Sequence, residues 1–132
     1  HTSEVIYLGD LRTESTHMAS GNKVVTDAPV DNNGKGEAFS PTDMLATSLA
    51  QCMMTIMGIE ANKLGVDITG MKASVLKKMA LNPRRVIKID VELTLPAHAV
   101  TFKEQLEHAA HTCPMANSLH SDMEQHVVFS YV

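Results

Sequence analysis

The chain has 132 residues, enough for one domain and short for two. Apolar residues make up 44% of it and the formal net charge is -4, so a core can form without cross-links. The lack of any Lys/Arg-rich run argues against nucleic-acid binding, which draws its affinity from clustered cations.

His1 opens the chain, and residues 1–3 are set aside as an expected expression remnant, leaving a single domain over 4–132. Val5 to Val25 reads as short strands, with turns at Gly9-Asp10 and Ser20-Gly21-Asn22. Thr26 to Phe39 has no periodicity and is rich in Gly, Asn and Asp; it is read as a long loop in which Asp27, Asp31 and Glu37 are solvated. Ser40-Pro41-Thr42-Asp43 is a helix start, with serine as cap, proline at the first helical position and an acid three residues after the cap. The helix runs to Leu64, with Gly65 as its stop. Its apolar content wraps beyond one stripe, so one subunit has few elements to cover it, and a homodimer is expected.

Val66 to Val75 follows at strand spacing, with Gly70 read as a bulge. Asn82-Pro83 turns the chain into Ile87–Leu95, whose strict alternation predicts a strand with one buried face, as in an antiparallel sheet. Thr101–Ala110 reads as a helix capped by Thr101; Cys113-Pro114 starts a short helix to about Leu119, and Val127–Val132 is a final strand. This order defines an α+β protein. No uninterrupted apolar stretch reaches the roughly 20 residues that span a bilayer, and no secretory signal pattern is present. A soluble cytoplasmic protein is expected, with neither nucleic acid nor membrane as a partner.

Nine methionines, no tryptophan and 4% aromatics make a soft, sulfur-rich core. Only Cys52 and Cys113 carry thiols. A reducing cytosol disfavours a permanent disulfide, so each is a buried apolar residue, a metal ligand or a reactive thiol. Cys52 sits mid-helix among apolar residues, where burial makes a thiol inert unless a cation arrives from elsewhere. Arg12, at a strand–turn junction, is a candidate for that cation. Cys113 has the better local case for reactivity, because it precedes Pro114 at a helix N-terminus with His108 and His111 nearby. His108, His111 and Cys113 also form an H-x-x-H-x-C pattern, but helical spacing puts His108 and Cys113 on different faces, and no metal is expected.

Two segments resemble a known family. Ser40-Pro41-Thr42-Asp43-Met44-Leu45-Ala46-Thr47-Ser48-Leu49-Ala50-Gln51-Cys52 is similar to the long helix of OsmC/Ohr-like proteins, with a proline, an acid, a Leu/Ala-rich run and a cysteine eleven positions after the proline. Thr112-Cys113-Pro114-Met115-Ala116 resembles the family's second motif, a Cys-Pro followed by small apolar residues. The resemblance implies an OsmC-like fold, with antiparallel sheets enclosing a long central helix in an intertwined homodimer whose active sites lie at the subunit interface. It also implies a thiol peroxidase without a cofactor, which reduces organic hydroperoxides and is recycled by an external dithiol. Cys52 then attacks the peroxide and Cys113 resolves it, reversing the local ranking. Arg12 matches the catalytic arginine best. The Ohr branch carries glutamate directly after the proline, where this chain has Thr42, so Asp43 is either the carboxylate that orients Arg12 or only the capping-box acid. With that chemistry, Phe39, Met53 and Met57, together with Met44 and Met54, are candidates for an apolar substrate entrance. The alternative is a non-catalytic dimer that senses redox state or binds a small apolar ligand.

Overall fold

Turn chemistry organises the start of the chain, and the computed structural model, which describes all 132 residues, forms three strands there: β1 (Ser3–Gly9), β2 (Arg12–His17) and β3 (Lys23–Asp27). They pair antiparallel in the order β1-β2-β3. Asp10 and Leu11 link β1 to β2 with φ of 53° and 64°, the left-handed geometry of a two-residue hairpin. Leucine resists that conformation. It is held there by its N–H, which donates to Tyr7 Oη at 3.2 Å, and by its carbonyl, which accepts the Ala28 N–H at 3.0 Å. Ser3 opens β1, and the Thr2 carbonyl accepts the Met18 N–H.

Contacts gather the chain into two compact units, His1–Leu45 and Ala46–Val132. The first unit has no buried apolar side chain; its buried residues are Thr26, Asp27 and Ser40. Val5, Ile6, Tyr7 and Leu8 are consecutive in β1 and all exposed, so both faces of this edge strand are apolar and uncovered.

The long helix, α1, spans Pro41–Leu64 as the capping signal predicts. The Asp43 N–H donates to Ser40 Oγ and the Ser40 N–H donates to Asp43 Oδ2, both at 3.0 Å, closing the capping box. At the far end the Val66 N–H reaches the Ala61 carbonyl and the Gly65 N–H reaches that of Asn62, with Gly65 at φ 73°, a Schellman stop. Buried positions Ala46, Leu49, Ala50, Met53, Met57 and Ala61 fall at helical spacing on one stripe, while Gln51, Thr55, Ile59 and Asn62 mark the exposed one. The helix is therefore more one-sided than its composition suggests. Counting uninterrupted apolar runs also understates it: by length and composition α1 is long and apolar enough to cross a membrane, with an 18-residue mean hydropathy of 1.2.

The second unit continues with β4 (Lys72–Ala80), β5 (Arg85–Leu95), α2 (Lys103–Ala110), α3 (Pro114–Ser118) and β6 (Glu124–Tyr131). The stretch before β4 is a turn where a strand was expected. The Thr69 N–H bonds Asp67 Oδ1 and the Met71 N–H bonds the Ile68 carbonyl, so Gly70, at φ 92°, serves the turn and makes no bulge. Thr101 is likewise no cap: a 3-10 turn over Ala97–Phe102 runs directly into α2, and the Lys103 N–H is satisfied by the Val100 carbonyl. β4 and β5 pair antiparallel, but β6 lies parallel to β5, so this sheet is mixed where an antiparallel one was expected. Parallel pairing requires a crossover, which the α2 and α3 segment supplies. As the central strand of β4-β5-β6, β5 buries Ile89, Val91, Leu93 and Leu95 almost completely. They share the core of this unit with the α1 stripe and with Leu106, Ala109, Ala110 and Cys113.

Candidate active site

Both cysteines lie in the second unit and both are free thiols. Cys52 sits on α1 one residue before the core position Met53, and its side chain is half-buried. Cys113 is fully buried and caps α3, with Pro114 at the first helical position and its Sγ accepting the Ala116 N–H at 3.3 Å. The fold brings the pair near enough for Cys52 to act on the Cys113 thiol, 61 positions along the chain. Burial pushes the Cys113 thiol above its ordinary value; the Ala116 N–H pulls it back down, and Cys52 raises it further. The local argument that a helix N-terminus favours a Cys113 thiolate is thus outweighed by desolvation, which sequence neighbours do not reveal. His111 stands edge-on to the Phe129 ring at 5.9 Å, and no three metal-ligating side chains converge anywhere in the fold.

Arg12 and Asp43 both lie in the first unit. Arg12 opens β2 directly opposite Asp27, the last residue of β3. The guanidinium donates from Nε to Asp27 Oδ1 at 2.7 Å and from Nη2 to Oδ2 at 2.8 Å, a two-pronged pair. The Glu37 N–H adds a third donor to Oδ2 at 3.1 Å, and Glu37 Oε1 lies 3.8 Å from Nη2. These hydrogen bonds, Arg12's foremost, hold the Asp27 carboxyl below its usual range, while Asp27 raises Arg12. Asp27 is 1% exposed, so the expectation of a solvated loop acid is overturned at this position. Of the two roles open to Asp43, the capping box is the one its hydrogen bonds with Ser40 describe. The carboxylate on Arg12 is Asp27, which the sequence reading missed. Extending the third strand two residues past Val25 would have placed it opposite Arg12.

Phe39 is exposed and lines an open cleft of about 410 Å³ with Val25, Gly36, Glu37, Ala38 and Asp43. Met53 and Met57, expected at a substrate entrance, are 1% and 0% exposed and pack in the core stripe of α1. Met54 instead borders a second cleft of about 420 Å³, between the second half of α1 and the Val66–Met71 turn.

An α+β chain with two three-stranded sheets, a long helix carrying one thiol and a Cys-Pro helix cap carrying another defines a class of fold with many solved relatives. A protein from Psychrobacter arcticus 273-4, assigned provisionally to osmotic stress and detoxification responses, is 50% identical, with a TM-score of 0.94 over 98% of this chain and 95% of that one. An OsmC organic hydroperoxide resistance protein from Legionella pneumophila superposes with a TM-score of 0.76 at 16% identity, over 98% of this chain and 97% of that one. An OsmC-like protein from Mycoplasma pneumoniae gives 0.80 at 17% identity, over 98% and 95%. At such low identity these last two speak to the fold alone. No curated protein matches the sequence. The OsmC-like protein family matches residues 34–126, and the chain belongs to that family.

Proposed function

We propose that this protein is a thiol peroxidase that reduces organic hydroperoxides in oxidative-stress defence, with Cys52 as the attacking thiol and Cys113 as the resolving thiol. The observation that carries the reading is the meeting of these two thiols, one half-buried and one fully buried. The Cys52 thiolate attacks the terminal peroxide oxygen and breaks the O–O bond. The alcohol leaves, taking a proton, and Cys52 becomes a sulfenic acid. Cys113 attacks that sulfur, its proton leaves with the hydroxyl as water, and the Cys52–Cys113 bond forms. Two electrons have then passed from the thiols to the peroxide, and an external dithiol restores the thiols by exchange. The accessibility difference supports this order, because a peroxide reaches a half-buried sulfur more readily than a fully buried one. Arg12 supplies the cation that stabilises thiolate and leaving oxygen, and Phe39 is the apolar contact for the substrate's organic group.

The protein acts as a homodimer in this reading, in the cytoplasm, where dithiol reductants are plentiful. The support is the first unit's surface: an edge strand with two uncovered apolar faces and no apolar core beneath it calls for a second copy. Lipid fits less well, since three of the four residues on the exposed stripe of α1, Gln51, Thr55 and Asn62, are polar. The test is to treat the reduced protein with cumene hydroperoxide and map its disulfides. A Cys52–Cys113 bond and multiple turnovers with a dithiol are expected. No such bond, with Cys52→Ser consuming peroxide as fast as the unmodified chain, overturns the mechanism, and consumption limited to one equivalent marks a binder or sensor.

A further inference from the structure

We infer that Gln125 of β6 is the positioning residue of the resolving thiol, anchoring α3 so that the Ala116 N–H stays on Cys113 Sγ. The inference rests on the peroxidase reading and deepens it, naming the residue that governs disulfide closure.

Alternation along β6 turns Gln125, Val127, Phe129 and Tyr131 inward and leaves Glu124, His126, Val128 and Ser130 exposed. Gln125 pairs with Ile89 of β5, which is 0% exposed. An amide at such a position needs a partner, and its Nε2 donates to the Ala116 carbonyl at 3.1 Å. That carbonyl belongs to the last residues of α3, where no later helical N–H reaches it. With five residues, α3 is too short to persist on its own hydrogen bonds. Its internal ties are the Asn117 N–H on the Cys113 carbonyl at 3.3 Å and the Ser118 hydroxyl on the Pro114 carbonyl at 2.7 Å. Gln125 supplies the hydrogen bond that ties it to the sheet.

Ala116 is thus held through both of its backbone groups: Gln125 grips its carbonyl, and its N–H donates to Cys113 Sγ at 3.3 Å. An N–H aimed at sulfur favours the thiolate, which is the attacking form. Burial raises the Cys113 thiol most and Cys52 raises it further; the N–H groups of Ala116, foremost, and Met115 lower it. No lysine or arginine acts on this sulfur. The titratable groups of α2 and its end are turned elsewhere: Glu107 accepts from the Tyr131 hydroxyl at 2.9 Å, His111 stands against Phe129, and His108 is exposed. The Ala116 hydrogen bond is therefore the chief support of a Cys113 thiolate, and Gln125 keeps its donor in place.

The experiment compares the full unmodified chain with Gln125→Met, which keeps the length of the side chain and removes its donor. Each reduced protein is mixed with cumene hydroperoxide and quenched at intervals, from neutral to alkaline pH. Mass spectrometry then counts sulfenic acid and disulfide, and melting temperatures are taken alongside. Losing one hydrogen bond to a charged group moves the titration of the thiol up by about one pH unit. The thiolate fraction at neutral pH then falls about tenfold, the more basic sulfur recovers about threefold, and closure slows about threefold. Formation of the sulfenic acid on Cys52 should keep its rate. A purely structural role lowers the melting temperature but leaves the alkaline rise of closure at the same pH, and that result overturns the inference. So does closure at the unmodified rate. If Gln125→Met does not fold, Gln125→Glu, whose carboxylate accepts but does not donate, replaces it; unchanged closure there refutes the role equally. Failure of the peroxidase reading looks different, because the unmodified chain then forms no disulfide with the hydroperoxide. Ultraviolet titration of the thiolate in the Cys52→Ser background, where Cys113 is the only thiol, decides the role of Gln125 in that case. A titration moved up by Gln125→Met supports the hold on Cys113, and an unmoved one refutes it.

Discussion

Replacing Ile6 with Asp places a carboxylate in the middle of the uncovered run Val5, Ile6, Tyr7 and Leu8, which are 64%, 59%, 62% and 51% exposed. Burying a large apolar side chain completely stabilises by roughly 1.5–3 kcal/mol. The exposed fraction of Ile6 is therefore worth about 1–2 kcal/mol once a second copy covers it. A twofold dimer carries the change twice, for about 2–4 kcal/mol. At 1.4 kcal/mol per tenfold, the dissociation constant of Ile6→Asp should rise at least about 30- to 700-fold, with the cost of burying a carboxylate adding to it. Sedimentation velocity across a dilution series measures this directly. The reasoning fails if the unmodified protein sediments as a monomer at every concentration, or if folded Ile6→Asp dimerises as tightly as the unmodified chain. Because Val5 and Tyr7 share one face and Ile6 and Leu8 the other, Tyr7→Asp should weaken the dimer as well. An effect confined to one face would mean a simple side-by-side contact in place of an intertwined one.

Cys113→Ser should leave the sulfenic acid on Cys52 unresolved, trappable by dimedone in stoichiometric yield, whereas Cys52→Ser should give no adduct; mass spectrometry distinguishes them. Leu49→Ala removes a side chain with 0% exposure and should cost about 2–5 kcal/mol in denaturant unfolding, against under about 0.5 kcal/mol for Thr55→Ala on the exposed stripe. Acid should destabilise through Asp27. Its carboxyl is lowered in the fold from the ordinary 3.8, chiefly by the Arg12 hydrogen bonds, so its contribution is complete above that value and is lost as pH falls through the lower folded one. Asp27→Asn should flatten that acid limb in a melting-temperature series, and an unchanged limb would refute the assignment.

Long-range and short-range signals differ in how far the sequence makes them legible. The long helix was readable from end to end because its start, Ser40 with Asp43, and its stop, Gly65, act within a few residues of their own backbone. The cap at Cys113 was readable for the same reason. Alternation marked β5 but said nothing of the direction of β6, which depends on a crossover of nearly thirty residues. The turn at Asp67–Met71 reads as strand because Val66 and Ile68 mimic alternation, while an Asx bond between Asp67 and Thr69 decides otherwise. Asp27 escaped because a glycine-rich segment reads as solvent loop until the register of β2 on β3 sets it opposite Arg12. Adjacent residues on a helix point about 100° apart, so Cys52 is half-buried while its neighbour Met53 lies in the core.

In the proposed peroxidase, the unequal burial of the two thiols supports the order in which they react. Burial holds Cys113 protonated over a wider pH range than a free thiol, since the folded chain keeps its proton above the ordinary value of 9.0 where the unfolded chain releases it. Stability tied to this group is therefore complete below that value and declines as pH rises through the window up to the raised folded one. The same protonation makes Cys113 a poor first nucleophile and keeps it from consuming peroxide itself. It becomes competent when the neighbouring sulfur turns electrophilic as a sulfenic acid, because the attack is then local and the proton has a leaving hydroxide to join. The rate of disulfide closure should accordingly climb with pH as the Cys113 thiol gives up its proton. Stopped-flow traces of the two phases would show this, and a closure rate flat from neutral to alkaline pH would refute the division of labour.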